Sequence, residues 1–194
     1  MKFREASFRG RKLLSKFAAA SKGAGPESVA VEIGVHRGQF ARLIMEHWPG
    51  RYIGVDPWNA HLDGYDNDVL ALGKERVPCY GRDRSPDYSA ALEILEPYRG
   101  RCDFFLMTSE EAAKVLPDDL DFVYIDANHN YEYVLKDIQL WLPKVRPGGI
   151  LSGHDVGPCR WSKDVTRAIS ESLGDRIVHQ VRERGSPWSW YTVI

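Results

Sequence analysis

The chain has 194 residues, 43% hydrophobic and 27% charged, with a formal net charge of −1. That composition excludes wholesale disorder, and the balanced charge leaves no global field to draw the protein onto nucleic acid or anionic lipid. No apolar run approaches the ~18 residues of a membrane-spanning helix, and no 7–15-residue apolar stretch marks a secretory signal, so a cytoplasmic protein without a membrane partner is expected. Cys79, Cys102 and Cys159 are an odd count without a CxxC pair. They read as reduced thiols rather than a zinc ribbon or disulfide scaffold.

The charge is uneven along the chain. Residues 1–22 carry seven Lys or Arg against Glu5 alone, and the remainder is net acidic. Residues 1–28 are therefore expected to form a basic N-terminal segment outside the core. Within it Phe3, Leu13, Leu14 and Phe17 would anchor a solvated helix, or the segment would serve as a lid or arm for an anionic substrate. Residues 29–194 are expected to be a single domain.

From Val29 onward, strands and helices alternate. Val29–Gly34 is a short apolar run ending in glycine, the signature of a buried strand. Gln39–His47 has apolar residues at helical spacing and is stopped by Pro49-Gly50. Tyr52–Val55 is a second strand. Residues 57–86 form a long polar loop with a short helix near Val69–Glu75, and a loop of that length usually carries function. A helix over Tyr88–Leu95 leads to a strand at Cys102–Met107. A helix over Ser109–Val115, capped by Ser109, follows, with Glu110 and Glu111 where the helix dipole favours acids. Leu120–Ile125 is a strand, Tyr131–Leu142 a helix, and Gly149–Ser152 a strand launched by the Pro147-Gly148-Gly149 turn. After a helix over Lys163–Leu173, strands at Arg176–Val181 and Ser189–Ile194 are separated by a turn alone. The order predicts a doubly wound, mostly parallel α/β sheet whose last strand runs antiparallel.

Ligands in such sheets bind beyond the carboxyl ends of the strands, so the residues there are the candidates. After the first strand, Gly34 permits a tight turn and Gly38 close helix packing, with Glu32 just before them. The dinucleotide fingerprint GxGxxG is not met. After the second strand stands Asp56, an acid placed to accept hydrogen bonds from two ribose hydroxyls. Thr108-Ser109-Glu110 follows the third, where Ser109 can cap a helix or meet an adenine edge. Asp126-Ala127-Asn128-His129-Asn130-Tyr131 follows the fourth, and Ser152-Gly153-His154-Asp155 the fifth. Asp126, His154 and Asp155 can converge on one divalent ion, with His129 as a base beside them. A nucleophilic Cys159 near His154 is the weaker alternative. Trp58, His61 and Tyr65 can build an aromatic substrate wall or anchor their loop, and Trp188 and Trp190 read as sheet packing.

The residues Val31-Glu32-Ile33-Gly34 with Gly38, then Asp56, Tyr124-Ile125-Asp126 and Arg146-Pro147-Gly148-Gly149 resemble a class I S-adenosylmethionine-dependent methyltransferase. The stretch from Phe122 to Val156 is similar to small bacterial O-methyltransferases of the catechol and macrolide-sugar type. The resemblance covers residues 29–194 and implies a seven-stranded sheet with its last strand antiparallel. It also implies that Glu32, Gly34 and Gly38 line the methionine part of S-adenosylmethionine, that Asp56 holds the ribose, that Ser109 lies near adenine, and that Asp126 is among the cofactor-binding residues. In metal-dependent relatives an acid after the fourth strand and two ligands after the fifth hold Mg²⁺. Here these positions are Asp126, His154 and Asp155. Where those relatives carry an acid this chain has His154, a softer ligand suited to Mn²⁺, Fe²⁺ or Zn²⁺.

The expected activity is methyl transfer to a hydroxyl of a small molecule, metal-assisted, with His129 as base. A metal-independent O- or N-methyltransferase is the alternative. A nicotinamide-dependent oxidoreductase and a silent cofactor-binding module rank below it. Nucleic acid is not expected as acceptor without a wider basic face, and self-association into a homo-oligomer stays open.

Overall fold

The computed structural model describes residues 2–194 apart from Phe8, 21–23, 59–66, 73–74, 81–85 and Ser186, with backbone alone for 67–72 and 75–80. In chain order its elements are β1 (Lys2–Glu5), α1 (Arg11–Ala19), β2 (Val29–Ile33), α2 (Gln39–Met45) and β3 (Arg51–Val55). The hairpin β4 (Asn67–Leu72) and β5 (Glu75–Tyr80) leads to α3 (Pro86–Leu95), β6 (Cys102–Phe105), α4 (Ser109–Val115) and β7 (Leu120–Ile125). Then come α5 (Tyr131–Trp141), β8 (Val145–Val156), α6 (Ser162–Leu173), β9 (Ile177–Val181) and β10 (Trp188–Val193).

One mixed sheet has the order β1-β9-β10-β8-β7-β2-β3-β6. Strand β10 runs antiparallel to both β8 and β9, and the other pairings are parallel. The seven strands and the antiparallel last strand match expectation; the eighth strand does not. Residues 2–5 pair in parallel with β9, with Phe3 opposite Val178.

The N-terminal segment is thus part of the packed structure, which corrects the expectation that it lies outside the core. Leu14 and Ala18, one helical turn apart, are fully buried on the sheet, and Phe17 stacks against Tyr191 at 5.0 Å. Leu13, on the opposite face, is exposed. Burying leucine-sized side chains contributes roughly 1.5–3 kcal/mol each, so the contacts hold this helix where its basic residues alone would favour water.

Helices cover both sheet faces because the central strands bury residues on both sides. All six residues of β7 are buried. Val134, Ile138 and Trp141 of α5 pack with Val165, Ile169 and Leu173 of α6 on one face. Leu14, Phe40, Ile44, Tyr88 and Ala91 from α1, α2 and α3 cover the other. Two local readings change. Asn67–Leu72 and Glu75–Tyr80 pair as antiparallel strands rather than forming a short helix near Val69–Glu75. Helix α4 is capped by Thr108 rather than Ser109: the Thr108 hydroxyl accepts from the Glu111 N–H, and Glu111 accepts from the Thr108 N–H.

The sheet's two ends do different work. At the amino ends of β2 and β7, Asp121 accepts the Val29 N–H at 2.8 Å and pairs with Arg146 at 2.7 Å. The Arg146-Pro147-Gly148-Gly149 motif therefore braces the end remote from the chemistry. At the carboxyl end, Ile33, Val55, Phe105, Ile125 and Gly153 lie in one hydrogen-bonded row across five strands. The residues that follow lie side by side at this edge, Gly34, Asp56 and Asp126 just past their strands and His154 within β8.

Candidate active site

A cavity of about 850 Å³ opens where these residues leave the sheet. Sites for small molecules and cofactors are usually ~300–1,000 Å³. Glu32, Gly34, Asp56, Ser109, Asp126 and His129 all line it. Gly38 does not. With φ 75° it starts α2, and a Cβ there would fall 2.8 Å from Ile94, so its part is helix packing behind the wall.

Gly34 is required by close approach. Its φ is 89°, and a Cβ would lie 2.2 Å from the backbone carbonyl oxygen of Asp126. Asp56 organises the loop beyond it: one carboxylate oxygen accepts the Val35 and His36 N–H groups, each at 2.9 Å, and the other accepts the Trp58 N–H at 2.7 Å. His36 (φ 52°), Trp58 (φ 44°) and Asp155 (φ 63°) are three of the four non-glycine residues with positive φ among the described residues. Such conformations cost of order 1–3 kcal/mol and gather at functional sites.

Trp58 is a loop anchor. It is buried, packs on Tyr88 and Phe104, and donates its indole N–H to the His36 carbonyl at 2.6 Å. His61 and Tyr65 fall outside the described residues. Trp190 is buried in the sheet core, and Trp188 packs against that core from its rim, as expected.

The cavity has two chemically different ends. At one, Ser109 and Asp137 lie between α4 and α5 with Leu140. Ser109 accepts the Trp141 indole N–H at 2.9 Å. Burial pushes the Asp137 carboxyl up to about 6, against the opposing hydrogen bond from Ser109. At the other end lie Glu32, Asp126 and Arg11. Burial holds the Glu32 carboxyl well above the usual carboxylate range, although Tyr52 donates to it at 2.7 Å. Arg11, from α1, stands 3.6 Å from Asp126 and 3.3 Å from Glu183 and lies over the Phe40 ring. Neither Arg11 nor Glu183 was singled out in the sequence. The basic bias of the N-terminal segment signals the first, and nothing local signals the second, which reaches the site from the turn after β9.

Beside this cavity Asp126, His154 and Asp155 come together, their ligand atoms within 4.8 Å of one another. His154 Nε2–H donates to the Pro187 carbonyl at 3.1 Å. This leaves Nδ1 facing Asp126 at 3.6 Å and Asp155 at 3.5 Å. Histidines that bind metals are oriented in this way, through the nitrogen that is not a ligand. A void of about 10 Å³ adjoins the three side chains, of the order of one water or ion. The donor set therefore fits a divalent cation. It also fits a proton. Burial opposes charge on His154, but hydrogen bonds to Asp126, Asp155 and Glu183 outweigh it and raise the imidazole to about 11.

His129 lines both spaces. Its Nε2 lies 2.7 Å from Asp155, and its ring stacks on Trp161 at 5.4 Å. The hydrogen bond to Asp155 raises its basicity, against burial. Cys159 donates weakly to the Asp155 carbonyl at 3.3 Å, a structural contact.

Comparison with known proteins agrees with this geometry. A family model described as a methyltransferase domain matches residues 31–156. The chain belongs to this methyltransferase family. The match begins in β2 and ends with β8, so it takes in every strand end that lines the cavity. An uncharacterised protein of Acanthamoeba polyphaga mimivirus is 33% identical over 60 residues, which are 31% of this chain and 27% of that protein. Solved structures share the fold. A Streptococcus mutans protein described as a methyltransferase, in complex with SAH, superposes with a TM-score of 0.66 at 11% identity over 97% of this chain and 99% of that one. The O-methyltransferase TomG of Streptomyces achromogenes, in complex with SAM, gives 0.61 at 12% identity over 94% and 77%. A Clostridium thermocellum protein described as an rRNA methylase gives 0.65 at 10% identity over 97% of each chain. Among the described residues no helix is long and apolar enough to cross a membrane.

Proposed function

We propose that this methyltransferase binds S-adenosylmethionine in the large cavity and methylates an oxygen of a small molecule presented at His129. The observation that carries the reading is that His129 lines the cavity's wall and the Asp126–His154–Asp155 cluster at once. Acceptor and donor would therefore meet at one point.

Asp56 is placed to hold the ribose, and Ser109 lies at the adenine end. With Nε2–H donating to Asp155, His129 keeps the lone pair on Nδ1, which takes the acceptor's hydroxyl proton as the oxygen attacks. Asp155 fixes the ring orientation and stabilises the imidazolium that forms, the usual division of labour in a carboxylate–histidine pair. The cofactor, when bound, supplies a methyl group whose sulfonium leaves as a neutral thioether. Positioning acceptor and methyl in line supplies much of the remaining acceleration.

Asp126, His154 and Asp155 would hold a divalent ion, which would lower the acceptor's pKa. A metal-independent reading is supported by one observation: the His154 ring nitrogens lie 3.6 Å from Asp126, 3.5 Å from Asp155 and 3.7 Å from Glu183, where a protonated imidazole would supply the positive charge instead.

Calorimetric titration with S-adenosylhomocysteine and with NAD tests the cofactor. Binding of the first alone is expected; tight NAD binding with no response to S-adenosylhomocysteine would reject the reading. A panel of catechols, phenols and sugar hydroxyls then supplies the acceptor. Turnover abolished by EDTA and restored by Mg²⁺, Mn²⁺ or Zn²⁺ supports the metal, and EDTA-resistant turnover that survives Asp155→Ala supports the metal-independent reading.

A further inference from the structure

The N-terminal helix brings a guanidinium into a cavity whose other lining at that end is acidic. On the S-adenosylmethionine reading, with Asp56 on the ribose, the base and the amino-acid tail of the cofactor would lie toward opposite ends of the cavity. The base belongs at Ser109 and Leu140, and the tail belongs at Glu32, Asp126 and Arg11. That tail bears a carboxylate. Two carboxylates at this end would repel it, and the other basic residues on the wall are turned to other acids: His129 to Asp155 at 2.7 Å, His36 to Asp87 at 3.4 Å, and Lys136 to Glu110.

Arg11 is suited to the task. Its side chain is about 29% exposed, so it is neither free in water nor sealed away. Its separations of 3.6 and 3.3 Å from Asp126 and Glu183 exceed the ~2.7–2.9 Å of charge-assisted hydrogen bonds. A guanidinium carries five donors in a fork that matches a carboxylate, so two loose ion pairs and the hydrogen-bond contact with Tyr124 leave N–H groups to spare. Helix α1 is itself anchored, with Leu14 and Ala18 fully buried, so the guanidinium is delivered from a fixed backbone.

We propose that Arg11 binds the carboxylate of the cofactor's methionine moiety, making the N-terminal strand and helix part of the cofactor site. The proposal rests on the S-adenosylmethionine reading, and the experiment separates the two. S-adenosylhomocysteine and 5′-methylthioadenosine share the nucleoside and sulfur, and only the first has the amino-acid carboxylate. Both are titrated calorimetrically against wild type, Arg11→Ala and Arg11→Lys, with the thermal melt of each ligand-free protein recorded.

In Arg11→Ala the affinity for S-adenosylhomocysteine should fall about 10–100-fold, the range of one to two charge-assisted hydrogen bonds, while that for 5′-methylthioadenosine changes less than about 3-fold. Arg11→Lys keeps the charge without the fork and should fall between. An unchanged ratio of the two affinities in both variants overturns the proposal, as does an equal loss for both ligands. If Arg11→Ala does not fold, Arg11→Lys carries the same comparison. Wild type that binds neither ligand overturns the cofactor reading, and this one with it.

Discussion

Replacing Gly34 by alanine should separate the cofactor loop from the strand beside it. The added Cβ would lie 2.2 Å from the Asp126 carbonyl oxygen and 2.8 Å from the Ala127 Cα, both backbone atoms that no rotamer change can move. The intrusion is about 1.3 Å relative to the ~3.5 Å optimum for such contacts. Gly148 provides the control. It too has positive φ, 79°, yet its nearest obstacle is the flexible Arg146 side chain at 3.6 Å. Both substitutions cost ~1–2 kcal/mol of left-handed strain, offset by ~0.4–1 kcal/mol from the restricted unfolded chain. Only Gly34→Ala adds overpacking, typically ~1–3 kcal/mol and more against rigid backbone.

The expectation is a loss of about 2–5 kcal/mol for Gly34→Ala and at most about 1–2 kcal/mol for Gly148→Ala. In a chain of this size those losses lower Tm by about 4–20 °C and by no more than about 8 °C, respectively. Thermal unfolding by circular dichroism measures both, and calorimetry should find S-adenosylhomocysteine binding lost in the first and kept in the second. A Gly34→Ala protein as stable as Gly148→Ala, with binding intact, would refute the close-approach argument.

Other outcomes are equally specific. His129→Ala should leave any metal binding intact and lower kcat by about 10²–10⁴-fold, the loss expected for a general base; an unchanged kcat would remove His129 from that role. A chain beginning at Gly25 loses β1, Leu14 and Ala18, and its melting should broaden and fall by at least about 10 °C in circular dichroism. An unchanged transition would restore residues 1–24 to a peripheral role. Asp137, raised to about 6, binds its proton more tightly folded than unfolded, so stability is greatest below the unfolded value and declines as pH rises toward 6. Asp137→Asn should therefore raise stability at pH 7 by about 1–3 kcal/mol and flatten that decline, as read from denaturant midpoints at pH 4 to 7. Equal midpoints across the range would show that burial does not raise this group.

The central strands are legible because burial on both faces leaves them mostly apolar, as in Leu120–Ile125 where Asp121 is the single charge, and the helices between them dictate parallel pairing. The place of Asp56 and Asp126 on the cavity wall is legible for a related reason: a polar residue that ends an apolar run marks the sheet's carboxyl edge. Strand β1 is not. An edge strand has one pairing partner, and Lys-Phe-Arg-Glu shows a single apolar residue, too little to form a pattern. The pairing of Asn67–Leu72 with Glu75–Tyr80 is not legible because it depends on cross-strand partners rather than on local periodicity. The cap of α4 was off by one residue because Thr108 and Ser109 are chemically alike, and only the reciprocal bond with Glu111 distinguishes them. Glu183 and Arg11 could not have been paired from the sequence, since 172 positions separate residues that touch only once β1, β9 and β10 have assembled.

That assembly has a consequence for synthesis on the ribosome. Strand β1 docks on β9, and β9 reaches the rest of the sheet through β10, whose own partner on the other side is β8. Strand β1 must therefore wait for a partner 175 positions later in the chain, since Lys2 stands opposite Ile177. At ~5–20 residues per second the interval is roughly ten to forty seconds. Throughout it Leu14, Ala18 and the unpaired edge of β1 have no sheet to cover them, while strands β2, β3 and β6 can already pair. A nascent-chain binder that shields a short basic, leucine-containing segment would act in this window. The arginine carried on that segment would reach the cavity only after translation has passed β10.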